Sequence, residues 1–137
     1  MTDHELLRLA AEAAKQAYAP YSKYPVGAAL LMSDGTVFTG CNVENASYGL
    51  TLCAERAAVS AAVTGGRLKI VKVAIVGGTA QQLAWPCGAC RQVLAEFCDQ
   101  DTPVLVAARG RINRWLARTL GELLPESFRL KKRSHRE

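Results

Sequence analysis

Apolar residues at Leu6, Leu9, Ala10, Ala13, Ala14 and Ala17 recur at helical spacing and stop at Pro20, which predicts an amphipathic helix over residues 3–18. The period then changes. Residues 26–32 (VGAALLM) and 36–41 (TVFTGC) are extended runs around Ser33-Asp34-Gly35, a turn composition, and predict a β-hairpin. The alanine-rich stretch 53–64 ends at Gly65-Gly66 and predicts a second helix that opens on Cys53 and stops on glycine. A β-branched strand over 70–76, a helix over 88–98 and a strand over 103–107 follow. From Ile112 to Leu120 the pattern supports two readings. Ile112, Trp115, Leu116, Thr119 and Leu120 fit a helix, while Ile112, Arg114, Leu116 and Arg118 alternate as a strand does. Strands alternating with helices place the chain in the α/β class, with a partly parallel sheet covered by helices.

Composition narrows the class further. A chain of 137 residues, 50% hydrophobic and 21% charged, suits one soluble domain rather than a disordered or fibrous protein. We expect residues 1–128 to form that domain. No apolar run approaches the roughly 18 residues needed to span a bilayer. Asp3, His4 and Glu5 stand where a signal peptide would have its apolar core, so a cytoplasmic location is expected. The formal net charge of +5 invites a nucleic-acid reading, but most of it is local: Arg129, Lys131, Lys132, Arg133 and Arg136 face only Glu137 in the last nine residues. That leaves 12 basic against 11 acidic residues in 1–128, a nearly neutral body that argues against a nucleic-acid partner. Residues 129–137 read as a solvated, flexible basic tail.

Five cysteines in a reducing compartment point to metal or catalysis more than to disulfides. Cys87-Gly88-Ala89-Cys90 is a Cys-x-x-Cys, a spacing at which two thiolates can hold one zinc ion or close one disulfide. Cys53 adds a third thiol at a helix start, and Glu55 falls in the same first turn. Structural zinc sites close with four protein ligands, whereas catalytic ones use three and leave a position for water. Three thiolates and a nearby carboxylate favour the open site, with Cys41 as a fourth ligand still an open alternative. Three thiolates on Zn²⁺ leave a net charge of about −1 that the protein must offset. Two helix N-termini would do so, and Arg56 reads equally as a donor to the thiolates or as a surface ion pair.

These residues resemble the zinc-dependent nucleoside deaminases of the small cytidine deaminase type. Cys53-Ala54-Glu55-Arg56 is similar to that family's Cys-Ala-Glu motif, and Pro86-Cys87-Gly88-Ala89-Cys90-Arg91 to its Pro-Cys-x-x-Cys motif. The likeness runs from Tyr18 through Phe128, including Ala19-Pro20-Tyr21-Ser22, Pro25-Val26-Gly27-Ala28, Gly40 to Ala46 and Glu122-Leu123-Leu124-Pro125. The resemblance implies a three-layer α/β/α fold with a central mixed five-stranded sheet, one zinc ion per chain held by Cys53, Cys87 and Cys90, and a role in pyrimidine salvage. It implies that zinc-bound water attacks C4 of cytidine, or of 2′-deoxycytidine, while Glu55 shuttles protons and ammonia leaves. It also implies that Asn42 and Glu44 hold the ribose hydroxyls, that Tyr24 stacks on the pyrimidine and that the Ala54 backbone reads the base. Ala46, Tyr48 and Phe128 are implied to contact nucleoside bound in a neighbouring subunit of a homotetramer. Many members carry Phe where this chain has Tyr24, whose hydroxyl needs water or a partner.

Three rival readings stand beside this one. A deaminase of a nucleoside antibiotic such as blasticidin S shares the zinc motifs, but Asn42-Val43-Glu44 favours a ribose-bearing substrate. A zinc-stabilised module contacting nucleic acid would need a closed fourth ligand. A thiol redox protein would leave Cys53 and Glu55 without a role.

Overall fold

The computed structural model describes residues 1–132; Arg133, Arg136 and Glu137 of the expected tail lie outside the described residues. The first helix, α1 (Asp3–Ala14), opens on a capping box in which the Thr2 hydroxyl accepts from the Glu5 amide and the Glu5 carboxylate accepts from the Thr2 amide. It ends one turn earlier than its apolar spacing predicts. The amides of Lys15, Gln16 and Ala17 donate to carbonyls three residues back, and the chain then extends so that Tyr18 bridges to Val43. Pairing with residues 42–44 takes the backbone groups a further helical turn would have used.

Strands β1 (Val26–Met32) and β2 (Val37–Cys41) form the expected hairpin. They are followed by α2 (Ala54–Thr64), β3 (Ile70–Gly77), α3 (Gly88–Ala95), β4 (Pro103–Ala107), β5 (Trp115–Thr119) and the short α4 (Leu120–Leu123). The strand order is β2-β1-β3-β4-β5, with β3 and β4 parallel and the other neighbours antiparallel. The stretch that supported two readings is thus an edge strand, β5, followed directly by a one-turn helix that starts on the Thr119–Glu122 capping box. Its outward positions, Leu116 among them, are exposed, which is why neither period dominated.

Alternation within the strands sorts two apolar clusters onto opposite faces. On one face Leu6, Leu7 and Ala10 of α1 pack against Ala29, Ala74, Val76, Leu105 and Ala107. On the other, Ala58 and Ala62 of α2 and Leu94 of α3 meet Ala28, Leu30, Val73, Ile75, Val104 and Val106. The result is three layers, α/β/α, around a mixed five-stranded sheet. Helix α2 approaches closely because Gly40 lacks a side chain: a Cβ there would lie 2.5 Å from the Ala58 nitrogen and 2.6 Å from the Ala54 carbonyl oxygen. That contact fixes the height of the helix whose first turn carries the candidate catalytic residues.

Candidate metal and substrate site

Helices α2 and α3 lie on the same face of the sheet, and each begins on a cysteine. Cys53 is the N-cap of α2 and Cys87 that of α3; neither side chain caps a backbone amide, so both sulfurs are free for other partners. Cys90 follows within the first turn of α3 and is buried. The three sulfurs lie within 4.8 Å of one another and make up the one such group among the described residues. Cys41, half-buried on β2, and Cys98, buried beyond the end of α3, stand outside it, so the fourth-ligand alternative falls away.

The chemistry of the trio fits a soft divalent cation. The hydrogen bond with Cys90, together with the Arg56 guanidinium, holds the Cys53 thiol down at about 5. The same hydrogen bond, with burial behind it, pushes the Cys90 thiol upward. Sulfurs this close share a proton unless a cation neutralises them. Arg56 Nη2 lies 3.4 Å from Cys53 Sγ and 3.4 Å from the Thr51 carbonyl, while its buried Nε has no hydrogen-bond partner among the described residues. The side chain is therefore turned to the thiolates rather than to a surface ion pair. Three thiolates, two helix N-termini and one guanidinium make an open zinc site with its excess negative charge offset.

Glu55 stands beside this group at 4% exposure. Burial raises its carboxyl to about 7, with the neighbouring Cys53 charge adding to the shift and its backbone amide opposing it. Cys53, Ala54, Glu55, Cys87 and Cys90 all line one pocket of about 460 Å³, whose far side holds Tyr24, Asn42 and Glu44. That volume suits a nucleoside-sized ligand. Asn42 is buried, and its amide spans the approach to β1, accepting from the Val26 amide at 2.9 Å and donating to the Tyr24 carbonyl at 2.9 Å. Glu44 accepts from the Tyr21 amide at 2.9 Å, from the Ser22 amide at 3.1 Å and from the Ser22 hydroxyl, contacts that keep its carboxyl below the usual range. Tyr24, 42% exposed, forms part of the rim, with its hydroxyl close to Gly78.

Three further candidates lie elsewhere on the subunit. Tyr48 is 77% exposed and lines an adjoining pocket of about 420 Å³ with Tyr21, Ser22, Glu44, Asn45 and Thr51. Ala46 is exposed on the same loop. Phe128, 66% exposed, is held along α3 by a bond from the Gln92 amide to its carbonyl. Other pocket-lining residues had no signal in the sequence. Gln82, Leu83, Ala84 and Trp85 form a wall because the chain turns back on itself after β3, with Thr79 and Gln82 exchanging main-chain hydrogen bonds and Gly78 bridging Leu83.

An open thiolate site facing a buried carboxyl inside a nucleoside-sized pocket defines a metal-dependent hydrolase class, and comparison with known proteins narrows it. Residues 1–106 match the model of the cytidine and deoxycytidylate deaminase zinc-binding region. The chain is similar to a cytidine deaminase of Halalkalibacterium halodurans, 50% identical over 90% of this chain and 91% of that protein. A cytidine deaminase of Mycobacterium tuberculosis is 48% identical over 88% of this chain and 85% of its own length. The crystal structure of cytidine deaminase from Burkholderia pseudomallei superposes with a TM-score of 0.86 at 45% identity, covering 93% of this chain and 100% of that one. This chain belongs to the cytidine and deoxycytidylate deaminase family, whose matched region is zinc-binding, and its Cys53, Cys87 and Cys90 group is positioned to hold a metal ion.

Proposed function

We propose that the protein is a cytidine deaminase, converting cytidine and 2′-deoxycytidine to the uridine products and ammonia. The observation that carries this reading is the buried Glu55 carboxyl, poised near neutrality in the same pocket as the three sulfurs. Zinc, when bound, supplies the Lewis acidity that makes water nucleophilic near neutral pH. Glu55 takes a proton from the attacking water, delivers it to N3 of the pyrimidine, and later serves the departing amine, each step requiring a group whose protonation state changes readily. Asn42 and Glu44 hold the ribose hydroxyls with the hydrogen-bonding capacity left after their main-chain contacts. Tyr24 stacks on the base from the rim, and the main chain at Ala54 reads its polar edge.

Residues 1–128 act as the catalytic domain of a cytoplasmic homotetramer. Ala46, Tyr48 and Phe128 reach a nucleoside in a neighbouring subunit; in support, all three are exposed and lie outside their own subunit's pocket. Exposed Tyr18, Tyr21, Val43, Leu50 and Leu52 supply apolar surface of the kind that subunits cover. Among the described residues no helix is long and apolar enough to cross a membrane. The test is an assay for uridine and ammonia from cytidine, with and without a zinc chelator, alongside turnover of blasticidin S. Chelator-sensitive turnover of cytidine supports the assignment, and turnover of the antibiotic alone overturns it.

A further inference from the structure

Helix α3 carries two of the three sulfurs and also gathers the chain's last described residues. Arg91, directly after Cys90, sends its guanidinium in two directions: Nε donates to the Pro86 carbonyl at 2.7 Å and Nη1 to the Leu123 carbonyl at 2.8 Å. Gln92 Nε2 donates to the Phe128 carbonyl at 2.9 Å, Arg129 Nη2 to the Cys98 carbonyl at 3.1 Å and Lys132 Nζ to the Glu96 carbonyl at 3.2 Å. Residues 123–132 are therefore tied to α3 at Arg91 and Gln92 and to the stretch just after it at Glu96 and Cys98.

The three sulfurs differ in what steadies them. Cys53 has Arg56 against its sulfur, and Cys90 is buried inside a helical turn. Cys87 is the exposed member, at the end of an irregular stretch that follows β3, with no side-chain cap to fix its rotation. The carbonyl that Arg91 grips belongs to the peptide joining Pro86 to Cys87, so the guanidinium sets the plane from which the Cys87 side chain departs. Pro86 donates no amide hydrogen bond, which leaves that carbonyl as the local handle. A planar fork can hold two carbonyls at once in fixed relation; a lysine ammonium on a flexible stem cannot do so with the same geometry.

We propose that Arg91 is the positioning residue for Cys87, aligning its sulfur for zinc through the Pro86 carbonyl and coupling metal retention to the guanidinium's second anchor at the Leu123 carbonyl. The inference rests on the reading of Cys53, Cys87 and Cys90 as the zinc ligands. Partners that orient metal ligands typically change affinity or activity by about 10- to 100-fold when removed.

The experiment compares zinc release from the loaded protein to 4-(2-pyridylazo)resorcinol for the parent, Arg91→Gln, Arg91→Lys and Gln92→Ala, with thermal midpoints of the zinc-free forms. Release about 10- to 100-fold faster in both Arg91 variants, with Gln92→Ala at the parent rate, supports the assignment. A merely structural role would lower the zinc-free midpoint of the Arg91 variants and leave release unchanged. Release within twofold of the parent in Arg91→Lys overturns the proposal, and that variant decides if Arg91→Gln does not fold. A parent that holds no zinc would instead overturn the ligand reading, so the two failures are distinguishable.

Discussion

Glu55 answers to opposing influences. Its place in the first turn of α2 favours the charged form, while burial beside a thiolate favours the neutral one, and burial is the larger effect. A glutamine keeps the shape and the hydrogen-bonding reach but cannot change protonation state. Glu55→Gln should therefore retain one zinc per chain, measured by elemental analysis, and lose turnover by roughly 100- to 10,000-fold; normal deamination by the zinc-loaded variant would remove Glu55 from its role. The metal trio and Glu55 were legible in the sequence because each lies within a turn of a helix start, where local spacing fixes geometry. Asn42 was legible only in part. The family resemblance paired it with Glu44 on one ligand, but nothing in the sequence showed that its amide already ties Tyr24 to Val26. The role of Ser22, which holds Glu44 from 22 residues away, and the place of Thr51 in the pocket had no spacing to read, and the turn that sets the Gln82–Trp85 wall went unrecognised.

Elements were readable where one face is buried and one is not. The hairpin, α2 and the buried strands came out within a residue or two of the expected bounds, while α1 and α3 stop early, at Ala14 and Ala95. Apolar spacing cannot register a competing partner such as the Tyr18 bridge to Val43. The contact of α2 with β2 supplies a direct test at this scale. Gly40→Ala would place a methyl group against the α2 backbone, and we expect a loss on the order of 1–3 kcal/mol in urea denaturation, with reduced turnover as the first turn shifts. The hairpin turn supplies another. The Thr36 hydroxyl and amide, with Arg67, hold the Asp34 carboxyl down at about 2, below its ordinary 3.8. A depressed carboxyl contributes stability above the ordinary value and loses it as pH falls through the folded one. The difference in urea midpoint between the parent and Asp34→Asn should thus be full at pH 7, shrink as pH falls from about 4 and be small at about pH 2; a difference undiminished at about pH 2 would assign it to something other than charge.

At the scale of the whole molecule, the placement of Phe128 away from its own pocket has a consequence for mixtures. If sites are shared as proposed, Glu55→Gln inactivates its own site but still presents Phe128, whereas Phe128→Ala keeps Glu55 intact and deprives a neighbour. Refolding the two weakened variants together should yield more activity than the sum of the two refolded apart, because some intact Glu55 sites then receive an intact Phe128. Strict additivity would count against shared sites. An assembly of the proposed kind is not legible from composition, since a subunit's exposed aromatics look alike whether they meet solvent or a partner. The cysteine caps carry a different consequence. Cys53 and Cys87 stand 34 residues apart, and the loop between them contains α2 and β3 entire. An ion held by both is a removable crosslink across that loop, opposing the chain entropy gained on unfolding much as a covalent bridge does. Melting of the loaded protein then follows the free zinc concentration, and the lifetime of the fold becomes tied to that of the metal–sulfur bonds.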